Sequence, residues 1–358
     1  MFRQCVRDER VFIARRYAPA LLLLSGLFGL AAPSRAQITL GPITVGAGLR
    51  TSFVHTDSNN ANDENQFLLN SARIYINGPV TGKIKFMFNT EYDGASNKIG
   101  VLDAVARVEI NSKFNIWAGR LLPPSDRANL AGPYYNNHWN VYSDGIQNGH
   151  PFVFQGRDNG VVYWGDFAKK VKVSVGAFDG RSATGRPEVI TAARVQLNFW
   201  DMEDGYYLNS TYYGDKNLLS IAGATQIQDG RTATTADFLL EKKLANAGVV
   251  TVEAEYSNYN RLGGYDPNYS HSQGAYILGS YILPKAIGPG KLQFLGKYAK
   301  ADFTRGITPS YNQKTTEVNV NYLIKQFNAR VMSFYRKVNL SQGRPDSWQI
   351  GMGLQIQM

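Results

Sequence analysis

The last eleven residues, Trp348 to Met358, alternate without a break. Trp348, Ile350, Met352, Leu354, Ile356 and Met358 share one parity, and Gln349, Gly351, Gly353, Gln355 and Gln357 share the other. Successive side chains of a strand point to opposite faces, so this is a strand with one oily and one polar face. Such a strand has two homes. Its oily face can cover the core of a soluble sheet, or it can meet lipid while the polar face lines a wet lumen.

The same alternation recurs along the chain. Ile84, Phe86, Phe88 and Tyr92 oppose Lys83, Lys85, Asn89 and Glu91. Val318, Val320, Tyr322 and Ile324 oppose Glu317, Asn319, Asn321 and Lys325. Runs of about ten residues suffice to cross a bilayer as tilted strands. No segment after Ala36 is apolar for the roughly 18 residues that a membrane helix needs. The 35 Gly, 21 Tyr and 18 Phe, with only 18% charged residues, complete the pattern of a transmembrane antiparallel β-barrel. On this reading Phe86, Phe88, Val173, Val195, Val320, Ile350 and Leu354 face outward.

The N-terminus has the layout of a secretory signal. Arg3, Arg7, Arg10, Arg15 and Arg16 precede an apolar run from Ala18 to Ala32, and Ser34-Arg35-Ala36 is a small-x-small cleavage pattern. Residues 1–36 are expected to be removed, leaving 37–358 as one barrel domain in the outer membrane. The leader carries six arginines and two acids, so the mature chain falls from a formal charge of +10 to +6. That balance does not argue for nucleic acid. Cys5, the only cysteine, also lies in the leader, so the mature protein has no disulfide and no thiolate chemistry.

Reading strands and turns in order gives 16 spans, from 43–57 to 347–358. Short turns such as Asn77-Gly78-Pro79 and Asp166-Phe167-Ala168 alternate with longer polar connections, including 58–65, 94–99 and 228–232. Tyr206 to Gly214 also alternates. A seventeenth strand there would reverse every later turn, so 201–216 is read as an elaborated periplasmic connection. The connection from Leu122 to Arg157 is far longer than a usual loop, and its Tyr134, Tyr135, Trp139 and Tyr142 are poor composition for disorder. It is expected to fold inward as the third outer loop and to narrow a channel that about 16 strands leave open.

Three segments carry a resemblance spread over the mature chain. They are FLLNSARIYINGPVTGKIKFMFNTEYDG (67–94), FNIWAGRLLPPSDRANL (114–130) and DGYYLNSTYYGDKNLLSIAGATQIQ (204–228). Together they resemble the phosphate-selective porin O/P family of Gram-negative outer membranes. The resemblance implies a trimeric 16-stranded channel, in some members selecting phosphate through lysine and arginine. The basic cluster of the phosphate-selective members has no residue-by-residue match here, and the chain ends on Met358 where many outer-membrane proteins end on an aromatic.

No enzyme signature emerges. His55, His138, His150 and His271 lack metal-ligand spacing, and there is neither a Gly-x-Ser-x-Gly elbow nor a phosphate-binding glycine loop. No cofactor or metal is expected. On the inward parity, basic residues outnumber acidic ones, which favours small anions in a narrow pore. Lys83, Lys85, Arg107, Arg120, Arg127, Lys172 and Arg194 are the candidates for the pore lining and its constriction. The expected function is a diffusion channel for small anionic or polar solutes, assembled as a homotrimer in outer-membrane lipid. The alternative is a non-conducting barrel that scaffolds a partner.

Overall fold

The computed structural model describes residues 38–59, 61–146, 156–180 and 188–358. The expected leader, 1–36, lies outside the described residues. Sixteen strands close into a single antiparallel barrel. In chain order they are β2 (Ile43–Ser58), β3 (Ala61–Pro79), β4 (Ile84–Asp93), β5 (Lys98–Asn111), β6 (Phe114–Leu121), β7 (Asp158–Phe167), β8 (Val171–Phe178) and β9 (Ile190–Asn198). There follow β10 (Leu218–Gln228), β11 (Arg231–Leu244), β12 (Gly248–Asn260), β13 (Tyr269–Ile282), β14 (Lys291–Gly306), β15 (Tyr311–Lys325), β16 (Ala329–Leu340) and β17 (Ser347–Gln357). A three-residue strand, β1 (Ile38–Leu40), pairs with the start of β2.

Each barrel strand pairs with its neighbour in sequence, and β17 pairs with β2 from Ser347↔Ser58 to Gln357↔Gly48. That last ladder leaves the barrel without an edge strand, so the backbone groups along it are answered within the wall. Both described ends of the chain and the turns at 112–113, 168–170 and 245–247 lie at one end of the barrel; Leu121 and Asp158, between which the long connection runs, lie at the other.

Alternation sorts the two faces. Val320 is 43% exposed, whereas Asn319 and Asn321 on either side are 1% and 0% exposed. Val195 and Ile350 behave likewise, and Phe86, Phe88, Val173 and Leu354 all lie on the more exposed parity. The exterior is therefore an apolar wall and the interior is polar, the inverse of a soluble sandwich.

The strands outrun the sequence reading at the loop end. β3 begins at Ala61 rather than near 66, β13 at Tyr269 rather than 273, and β14 runs to Gly306 rather than 302. Apolar alternation ends where the oily wall ends, but backbone pairing continues past it with polar residues on both faces. The connection expected over 228–232 shrinks to a two-residue turn at Asp229 and Gly230, with φ of 46° and 69°. Asp-Gly is the pair that a tight type I′ hairpin favours. The segment 201–216 forms no strand and no extra hairpin; it is an irregular connection between β9 and β10.

The two faces make a direct test. Charge on a lipid face costs about 2–4 kcal/mol at mid-membrane. Val320→Arg is expected to reduce the yield of heat-resistant barrel on semi-native gels. Asn77→Arg, which enters the interior cavity described below, is expected to assemble normally. Equal yields from both variants would show that the faces are wrongly assigned.

Candidate functional site

The interior is organised by two segments that are not strands. The described part of the long connection, 122–146, turns into the barrel and carries one short helix, α1 (Arg127–Ala131). Asp126 caps it, accepting from the backbone N–H of Asn129 at 2.8 Å. Burial pushes this carboxyl up to about 6, against the opposing pull of the Asn129 N–H. The second segment, 201–216, comes from the opposite end and meets the first.

Arg127 is the joint between them. Its Nη1 and Nη2 donate to the two Glu203 carboxylate oxygens at 2.7 and 2.6 Å, and Nη1 also donates to the Asn209 carbonyl at 2.9 Å. Asp237 of β11 stands 3.6 Å from its Nε. Both Arg127 and Glu203 are fully buried. Burial alone would raise the Glu203 carboxyl, but the Arg127 charge and fork outweigh it and hold Glu203 down to about 2. Around this pair the Leu208 N–H donates to the Leu130 carbonyl at 3.3 Å, the Ser210 N–H to the Tyr135 carbonyl at 3.0 Å, and the Tyr206 hydroxyl to the Leu122 carbonyl at 2.7 Å.

Beyond α1 the long connection lies along the inner wall of β13 to β17 and β2. A buried backbone needs its carbonyls answered, and wall side chains answer them. Arg330 donates to the carbonyls of Asn136 at 2.7 Å and Tyr134 at 3.1 Å, and Gln355 donates to Tyr134 O at 2.9 Å. Asn321 reaches Asn137 O at 3.2 Å, and Arg50 reaches Trp139 O at 3.1 Å while its guanidinium lies 4.0 Å from the Trp139 ring centre. Lys297 pairs with Asp144 at 2.7 Å and touches His138 Nε2 at 3.0 Å. Burial first, then the Lys297 charge, hold His138 well below its ordinary pKa, so it is neutral and accepts from Lys297.

Glycines on the inward parity mark where the connection approaches closely. A Cβ on Gly353 would come within 2.5 Å of the Trp139 ring, and one on Gly48 within 2.8 Å of the Tyr134 ring. The glycine in the terminal alternation thus leaves room for an indole.

The seven basic candidates separate under this geometry. Arg127 and Arg194 come together on Asp237, and Arg194 also donates to Ser125 O at 3.0 Å. Lys85 and Arg107 pair across β4 and β5 and share Glu109, at 2.7 and 3.9 Å. Lys172 donates to the Gly205 carbonyl and lies 3.8 Å from Asp166. Lys83 is exposed in the turn between β3 and β4, away from the interior. Arg120 faces out rather than in. Trp117 takes the inward parity of β6, so Arg120, three residues on, pairs with Ala104 and Asn159 on the outer face and donates to Val101 O at 2.9 Å. The seven do not form one cluster. Glu203 escaped the sequence reading because it sits where alternation stops. Arg50 was also missed, although it shares its parity with Gly48, a signal that could have found it.

What remains open lies on the other side of the barrel. A cavity of about 760 Å3 runs between the wall of β3 to β5 and the two inward segments. Its lining includes Arg73, Asn77, Asn89, Asp103, Arg157 and Tyr207. Arg73 pairs with Glu91 at 2.9 Å, and Arg157 with Asp103 at 3.3 Å. Asn89 and the Tyr207 hydroxyl also donate to Asp103, at 2.8 and 3.3 Å. No group of three or more metal-ligating residues occurs among the described residues.

Two substitutions test this interior. Arg127→Ala leaves Glu203 buried without its partner, a loss of about 3–5 kcal/mol, and is expected to lower the unfolding midpoint. Arg127→Met combined with Glu203→Leu is expected to recover most of it. The Glu203 carboxyl is depressed on folding, so its stabilisation is present above the ordinary carboxylate range and is lost as pH falls toward about 2. Midpoints of wild type and Arg127→Ala should therefore converge in acid; a gap independent of pH would contradict this account. Separately, Gly353→Val is expected to displace Trp139, red-shift tryptophan emission and cost about 1–3 kcal/mol.

No protein-family model and no curated protein matches this chain. Solved structures do. OmpF of Salmonella typhi, in complex with daunomycin, superposes with a TM-score of 0.60 at 13% identity, over 89% of this chain and 100% of that one. The anion-selective porin from Comamonas acidovorans gives 0.55 at 12% identity, over 88% and 99%. OmpT, an outer membrane protein of Vibrio cholerae, gives 0.55 at 11% identity, over 90% and 99%. At these identities the likeness concerns the fold, and the fold of this chain is a closed 16-stranded antiparallel barrel like theirs.

Proposed function

We propose that the protein is an outer-membrane porin, a water-filled channel through which small solutes diffuse passively with a mild preference for anions, phosphate and other oxyanions included. The observation that carries this reading is the cavity of about 760 Å3 with polar and charged lining, inside a closed barrel whose exterior is apolar. An apolar exterior has no use in water, and a polar cavity has none in a soluble core. The inward long connection narrows the passage to the side of β3 to β5.

The anion preference is mild because most interior charge is neutralised. Arg127, Arg194, Lys85 and Lys172, four of the basic candidates, each have a carboxylate within 4.0 Å. Along the open cavity Arg73 pairs with Glu91 and Arg157 with Asp103, so only a slight preference is expected. Assembly as a homotrimer fits the same reading, and the trimer form of Vibrio cholerae OmpT superposes at a TM-score of 0.51 with 12% identity. Passive exchange through such a pore requires no catalysis and no cofactor.

Planar-bilayer recording tests this. Wild-type protein is expected to insert as open channels whose reversal potential in a salt gradient lies slightly on the anion side. Arg157→Glu is expected to move it toward cations. The shift should shrink near 1 M salt, where the Debye length is about 3 Å. A barrel that inserts without conducting would favour the scaffold reading instead.

A further inference from the structure

The inward segment 201–216 does more than brace the long connection. A second cavity, of about 500 Å3, opens at the same end of the barrel as the first, beside the short turn at Asn111 and Ser112. Its charged lining is Arg107 against Glu109, Asp166 and Asp204, whereas the larger cavity presents Arg73 and Arg157 against Asp103. Neither lining is left with a charge bias: Lys85, Lys172 and Lys216 answer Glu109, Asp166 and Asp204, and Glu91 answers Arg73. Among the described residues Tyr207 alone lines both.

Tyr207 is built as a fixed wall rather than a free ring. Its neighbours are tied on both sides: Tyr206 by its hydroxyl to Leu122 O, and Leu208 by its N–H to Leu130 O. Lys172 holds the Gly205 carbonyl. The Tyr207 ring packs against Tyr206 at 5.3 Å and Trp117 at 5.8 Å between ring centres, and its hydroxyl donates to Asp103. Aromatic packing of this kind fixes ring orientation beyond what burial alone does.

We propose that Tyr207 sets the cross-section of the pore. Its ring partitions the mouth at the end of the barrel that holds Asn111 and Ser112, confines the passage to the larger lobe and keeps the smaller lobe out of the ion path. The inference rests on the channel reading above. Pore diameter limits what passes a narrow aqueous space, so removing the partition widens the passage.

The experiment compares wild type, Tyr207→Ala and Tyr207→Phe by single-channel recording in potassium chloride, with heat-modifiable gel mobility as the check that each barrel has folded. Joining about 500 Å3 to about 760 Å3, Tyr207→Ala is expected to raise conductance roughly 1.5-fold. Tyr207→Phe keeps the ring and loses only the Asp103 hydrogen bond, so it is expected to match wild type. A folded Tyr207→Ala channel with wild-type conductance would overturn the partition while leaving the channel reading intact. A Tyr207→Phe channel that behaves like Tyr207→Ala would also overturn it, by assigning the effect to the hydrogen bond. A folded wild type that does not conduct would overturn the channel reading and the partition together.

Discussion

Arg127 and Glu203 enter the barrel from opposite ends and meet inside it, with no water-exposed surface on either side chain. Neither segment has a ladder of its own to hold it there. A buried ion pair is stabilising only when its geometry is good and its remaining donors and acceptors are met. Both conditions hold here, through the two-pronged contact and through Asn209, Ser220, Gln196 and Tyr212 around it. With that joint in place, the backbone of 201–216 lines up beside 130–135, and the aromatic ring of Tyr207 acquires a fixed position. The shape of the remaining space follows from this contact more than from the strand count.

The inward polar face consequently has two different jobs. Along β13 to β17 and β2 it is a set of partners for the carbonyls of the long connection: Arg330, Gln355, Asn321 and Arg50 are buried against backbone. Along β3 to β5 it lines open space. Counting basic residues on the inward parity treats these as one population, which overstates the charge that a passing ion meets. Most of the apparent excess is absorbed by carboxylates or by peptide carbonyls.

The strands were largely legible because barrel strands obey a local rule: period two, a minimum length set by the membrane, and turn residues between. Val320 facing out and Asn319 facing in can be read from three adjacent letters, and the structure agrees. The reading failed where that rule stops applying. Arg120, expected inward, faces out because it shares its parity with Phe114 and Ile116 and not with Trp117. The strand ends beyond the oily wall were missed because pairing there carries no apolar signal. The segment 201–216 was correctly kept out of the strand count, yet nothing in its letters says that it turns inward.

The sequence by itself determined the barrel, the order of its strands and the face on which most of their side chains stand, because each of these depends on neighbours within about ten positions. It also marked 122–157 as a connection too long and too aromatic to be a simple loop. Only the tertiary structure decided which basic residues are free and which are neutralised. Arg127 and Glu203 are 76 residues apart and Arg330 and Asn136 are 194 apart, and no local pattern relates them. Electrostatics and passage size depend on which groups meet across the lumen, and that is fixed by how two irregular segments pack inside a closed wall.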